Sequence, residues 1–179
     1  MQDEPALLEA ARRLDPEALT AIFDHYAPAI FNFVYYLCQD EEESDSVVGD
    51  TFETLLELFS SGKGPETSLR LCIFQIAYSS VMDDARPLGH VMDLETVVEV
   101  TQNRRVIPTW TQCDESTLLS KLRAAINHDL SGIQRHVLIL RYIEGFSLQD
   151  TAAIIGKKVD HVRSLQSSSI SRLRKSLCL

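Results

Sequence analysis

From Asp15 onward, apolar residues return every three or four positions: Ile22, Phe23, Tyr26, Ile30, Phe31, Val34 and Leu37. That spacing predicts one long helix carrying these side chains on a buried stripe. Asp15 stands at the N-cap position and Pro16 at the first helical position, where its missing N–H costs nothing. Pro28 interrupts the pattern and predicts a kink. A second helix opens at Asp40. Asp40 and Glu43 have capping-box spacing, and acidic residues crowd the first turn, where the helix dipole favours them. Val47, Val48, Thr51, Phe52, Leu55, Leu56 and Phe59 supply its buried face, and the glycines and proline of "SSGKGP" end it. A third helix is predicted over "ETSLRLCIFQIAYSSVMDDA", capped at Thr67 or Ser68 and stopped before Pro87.

The period then lapses. Residues 87–114 carry two prolines and β-branched runs and read as a linker, with a short helical turn near Asp93–Val100. Its "VVEV" run and Trp110 imply that it packs against something. Helical periodicity restarts at "DESTLLSKLRAAINHDL", with Asp114 or Ser116 as cap. Strand-like alternation is nearly absent. The expected fold is therefore all-α: two small helical domains, 1–86 and 115–179, joined by the linker 87–114.

The last stretch, "GFSLQDTAAIIGKKVDHVRSLQSSSISRLRK", has the spacing of a helix-turn-helix. Gly156 is the central turn glycine, and Ala152, four positions earlier, is small enough for two helices to cross closely. Ile155, Val162 and Leu165 fall at buried positions. Ser147 and Asp150 form a capping box, and Gly145 ends the preceding "IQRHVLILRYIE" helix as a C′ residue would.

Composition and charge narrow what such a fold would do. Apolar residues make up 45% of the chain, enough for packed cores. No run of about 18 apolar residues occurs, so no membrane span is expected. The start of the chain is acidic and amphipathic, unlike a secretory signal. Cys38, Cys72, Cys113 and Cys178 lie far apart with no CxxC pair, which fits reduced thiols in a cytoplasmic protein. The net charge is −9, but unevenly spread. Residues 1–90 hold 5 Lys/Arg against 17 Asp/Glu, whereas residues 128–179 hold 8 against 4. An acidic block suits a basic protein partner and a basic block suits a polyanion.

These features together resemble a known family. The segment from "LSGIQRHVLILRYIEGFS" to "SRLRKSL" is similar to region 4, the −35-reading domain, of bacterial sigma factors of the extracytoplasmic-function (ECF) branch. Upstream, "DPEALTAIFDHYAPAIFNFVYYLCQDEEESDSVVGDTFETLLE" resembles region 2 of the same family. The resemblance implies a promoter-specificity subunit that binds core RNA polymerase and promoter DNA, with an anti-sigma factor as a further partner. It places Asp45, Val48, Asp50 and Phe52 against the clamp helices of the polymerase. On the helix-turn-helix it places Lys157, Lys158, His161, Arg163, Ser164 and Ser167 towards DNA. Arg172 and Arg174, with Lys175, are left to phosphates or the polymerase flap.

The departures are equally specific. Where the family carries an aromatic and basic helix that captures the −10 element, this chain has "LRLCIFQIAYSSVMDDARPL". Arg70 and Arg86 remain cationic there, and Phe74 and Tyr78 remain as rings for stacking on bases. Leu165, Ser167 and Ser168 stand where the family often carries Arg or His. Two other readings therefore stay open: a sigma-like mimic or adaptor that does not melt promoters, and a helix-turn-helix transcriptional regulator. No phosphate loop, metal-ligand spacing or nucleophile–base motif points to an enzyme, a cofactor or a metal.

Overall fold

The computed structural model describes residues 4–65, 68–83, 121–122, 125–126 and 128–177, and among them there are helices and turns but no strand. The chain divides into two compact units between Pro87 and Leu88.

The N-terminal unit contains α1 (Glu4–Arg12), α2 (Pro16–Cys38), α3 (Glu41–Ser60) and α4 (Leu69–Asp83). The starts of α2, α3 and α4 have local chemical causes. Asp15 Oδ1 accepts the N–H groups of Glu17 and Ala18, both at 3.0 Å, and fixes the start of α2. Asp40 Oδ1 accepts the Glu43 N–H at 3.0 Å for α3, and Ser68 Oγ accepts from Leu71 N at 3.2 Å for α4. Gln39 closes α2 in the left-handed region, φ 58°, where its own side-chain amide donates to Tyr35 O at 2.9 Å. Pro28 lies inside α2. The helix continues through it, and the residue is on the exposed side, where water can serve the freed carbonyl.

Ile22, Ile30, Phe33 and Val34 of α2 meet Val47, Leu55 and Phe59 of α3 and Leu69, Ile73, Phe74 and Ala77 of α4 in one apolar core. The Phe33 and Phe74 rings tilt against each other with centroids 5.1 Å apart. α1 adds Leu8 and Ala11, and its Arg12 Nη2 donates to Pro65 O at 2.7 Å, tying the first helix to the loop after α3. Two expected core residues are exposed instead: Phe23 retains 45% and Leu56 43% of their surface. Phe31 and Val48 are half-buried. All four sit at the edges of their stripes, where a one-dimensional pattern cannot say how wide the covered arc is.

In the C-terminal unit, Ala125, Ile126 and Leu130 are buried ahead of α5 (Gly132–Leu138). A π turn follows at Ile139–Ile143, then α6 (Leu148–Ile155) and α7 (Val159–Ser176). The sequence predicts ordinary helix through Glu144. Instead the Glu144 N–H reaches Ile139 O at 2.9 Å, five residues back. Ser147 Oγ accepts the Asp150 N–H at 3.0 Å, as the expected box requires, and its hydroxyl donates to the Asp150 carboxylate at 2.6 Å, so the return bond runs to the side chain. Gly145 and Gly156 both have positive φ, 70° and 68°, and Gly156 ends α6 with its N–H on Ala152 O. Ile155 and Val162 are buried as expected, whereas Leu165 is half-buried. The predicted linker 87–114, Arg86 and the proposed caps Asp114 and Ser116 lie outside the described residues.

Candidate partner and nucleic-acid interfaces

On α3 the four residues singled out from sequence do not form one surface. Asp45 and Asp50 are both exposed, but five residues of α-helix turn them about 140° apart. Asp45, Val48 and Phe52 follow three- and four-residue spacing and share one flank. Phe52 is buried there against Phe23 of α2, ring centroids 4.8 Å apart. With exposed Leu56 one turn beyond Phe52, this flank is an apolar patch edged by Asp45. Asp50 instead joins exposed Glu53 and Glu57 on an acidic flank. Phe23 and Leu56 were missed as surface residues because their spacing fits the core stripe.

α4 gives a plainer correction. Phe74 is fully buried and Tyr78 is 6% exposed, so neither ring can stack on a base in this conformation. Burial also pushes the Tyr78 phenol up to about 12. The Arg70 guanidinium lies over the Phe74 ring, 5.1 Å from its centroid. Among the described side chains, the outward side of α4 carries Leu71, Cys72, Gln75, Ile76 and Met82, half-buried, around exposed Ser79, none of them charged. The reason lies in the fold: α4 packs against both α2 and α3, so its bulky rings are drawn inwards.

The helix-turn-helix keeps most of its candidates accessible. Lys157, Lys158, His161, Arg163, Ser164, Ser167, Arg172 and Arg174 are all exposed. Arg172, however, donates to the Asp129 carbonyl at 3.0 Å and lies 3.4 Å from Gln134 Oε1, so it braces the domain. Ser168 turns inwards to accept from Gln134 Nε2 at 2.9 Å, and Ser169 is buried with its hydroxyl on Leu165 O at 2.7 Å. Of the serines that stand where the family often carries Arg or His, Ser168 is thus structural, as is its neighbour Ser169, while Ser167 stays exposed.

Three residues that pattern reading passed over complete the surface. Asp160 Oδ1 takes a hydrogen bond from Arg163 Nη1 at 2.7 Å, a pairing signalled by their three-residue spacing. Gln166 Nε2 donates to the Tyr142 hydroxyl at 2.7 Å while its carbonyl oxygen accepts from Arg141 Nε at 3.3 Å. Tyr142, 58% exposed, belongs to the π turn, which no helical period predicts. Behind this surface, burial and then the neighbouring Arg135 charge push the His136 imidazole down to about 4, so it is neutral near pH 7. Among the described residues no cluster of His, Cys, Asp or Glu could hold a metal ion, and no helix is long and apolar enough to cross a membrane.

Comparison with known proteins agrees with this architecture. Residues 128–175 match the family model of sigma-70, region 4. Over 96% of its length the chain is 22% identical to the ECF RNA polymerase sigma factor BldN of Streptomyces coelicolor, spanning 64% of that protein. It is also 22% identical to the ECF RNA polymerase sigma factor SigX of Bacillus subtilis, over 90% of this chain and 84% of that one. Among solved structures, CnrH in complex with the cytosolic domain of CnrY aligns with a TM-score of 0.62 at 20% identity, covering 96% of this chain and 95% of that one. The sigma factor RpoE of Bartonella quintana, solved with the anti-sigma factor NepR, aligns with a TM-score of 0.60 at 21% identity, covering 89% and 96%. The C-terminal unit thus carries a sigma-70 region 4 domain, and over most of its length the chain is similar to sigma factors of the ECF type.

Proposed function

We propose that this protein is a dissociable specificity subunit that binds core RNA polymerase through α3 and directs it to promoter DNA through α7. The observation that carries this reading is the accessible basic start of α7. Lys157, Lys158, His161 and Arg163 cluster where a recognition helix enters the major groove. An anti-sigma factor fits as a further partner, because both well-aligned solved relatives were captured with such a protein or a cytosolic partner domain. The Asp45 flank, with Phe23, Phe52 and Leu56, has the mixed apolar and acidic chemistry that a basic amphipathic partner helix would cover.

A second reading is supported by α4. With its rings buried and the described side chains of its outward side uncharged, α4 offers little to opened bases, which favours an adaptor that occupies sigma partners without melting DNA.

Run-off transcription with purified core polymerase separates the two. A specificity subunit yields transcripts and thymine reactivity to permanganate near the start site. An adaptor binds polymerase and yields neither. Asp45→Arg and Asp50→Arg are to be tested singly, since they sit on different flanks. On the proposed contact Asp45→Arg weakens polymerase binding more, by about tenfold or above, as a close charge pair becomes a repulsion. Equal or absent effects exclude the Asp45 flank.

A further inference from the structure

We propose that Asp160 determines the base preference of α7 by fixing the guanidinium of Arg163, an inference that rests on the DNA-reading role given above. The two side chains are neighbours on the outward side of the helix, Nη1 to Oδ1 at 2.7 Å. They are 62% and 90% exposed, so the bond contributes little to folding. Its consequence is orientation.

Asp160 is the sole carboxylate between Lys157 and Ser176, and Arg163 is the sole arginine on the first two turns of α7. An unpaired carboxylate here would face DNA phosphates and oppose binding to any sequence. Paired, it cancels the charge that Arg163 would otherwise lend to phosphate attraction, and what remains is geometry. With Nη1 engaged, the guanidinium edge formed by the other nitrogens stays free, and a guanidinium edge matches the O6 and N7 acceptors of guanine in the major groove. The carboxylate also repels any phosphate that would capture the guanidinium non-specifically. The next exposed positions, Ser164 and Ser167, are too short to compete for the same base edge, and Gln166 is held by Tyr142 and Arg141. The pair therefore exchanges affinity for discrimination. The ligand class is a duplex presenting guanine at one position of the major groove.

The test uses the full chain assembled on core polymerase and a duplex library with a randomised window. The selected duplex, its single-base variants and an unrelated duplex are then titrated at low and high salt. Asp160→Asn is expected to lower preference at one guanine about tenfold, the scale of one bidentate contact. It also raises affinity for the unrelated duplex several-fold at low salt, with helicity unchanged. Arg163→Ala loses the same preference, the double variant loses no more, and Asp160→Glu retains part of it. A guanine preference that survives Asp160→Asn overturns the proposal alone, as does an Asp160→Asn effect that persists in the Arg163→Ala background. A wild-type chain with no base preference in the window overturns the DNA-reading role and this proposal with it.

Discussion

The two units of this chain are held together by different means. In the N-terminal unit the described buried polar side chains are Ser44 and Thr51, and each hydroxyl returns to its own helix, on Asp40 O and Val47 O, both at 2.6 Å. Between the helices there, apolar packing predominates, with Cys38 Sγ of α2 lying 3.8 Å from Ser44 Oγ of α3. The C-terminal unit buries Gln134, His136, Glu144, Thr151 and Ser169. It joins its helices by side-chain hydrogen bonds from α5 and the π turn to α7. Packing tolerates approximate geometry, whereas hydrogen bonds fix one arrangement. On the proposed function, a unit that aims a few side chains at base edges gains from the second, and one that covers a partner helix is served by the first.

The contrast can be broken most forcefully in the apolar core. Phe33→Ala removes a fully buried ring in contact with Phe74 and is expected to destabilise the N-terminal unit by about 3–5 kcal/mol. Hydrogen exchange read by peptide should show lost protection across α2–α4 while α6 and α7 keep theirs. Loss in both units would show that they do not stand independently.

Acidification tests the polar unit. The His136 imidazole is depressed to about 4 in the fold against about 6.5 in an unfolded chain, so the unfolded state takes up a proton first. The stability it contributes is fully present above pH 6.5, declines as pH falls to about 4, and is lost below that. The full loss is on the order of 3 kcal/mol. Exchange protection of residues 128–177, measured across that window, should show the decline, and His136→Gln should flatten it. A smaller effect of opposite sign sharpens the comparison. The buried Thr151 hydroxyl has no hydrogen-bond partner among the described residues. Thr151→Val is expected to stabilise the C-terminal unit by up to about 1 kcal/mol in chemical denaturation.

Much of this was legible in the sequence where the signal is local. The caps at Asp15, Asp40 and Ser147, the choice of Ser68 over Thr67 excepted, and the helix-ending glycines at 145 and 156 each depend on a few neighbouring residues, and these cap bonds and positive-φ glycines are present. The helix-turn-helix was legible for the same reason. What failed depends on the third dimension. Phe74 and Tyr78 have the right chemistry for bases, but α4 lies against two helices and turns them inwards. Asp45 and Asp50 are neighbours in composition and strangers on the helix surface. Arg172 has the charge for phosphate, yet its bond to Asp129 spans 43 residues, a distance no periodic pattern encodes.

The π turn at Ile139–Ile143 also bears on how this chain tolerates changes in length. A turn of five-residue hydrogen bonds is an α-helix with one residue of slack wound into it. Removing a residue there would convert the turn to ordinary helix and leave the flanking segments in their present phase. The same deletion in the middle of α2 would rotate half of a core stripe by about 100°. In the stretch that precedes α6 and α7, the chain thus carries a spare link: the place where it can shorten by one residue and still present the same α7.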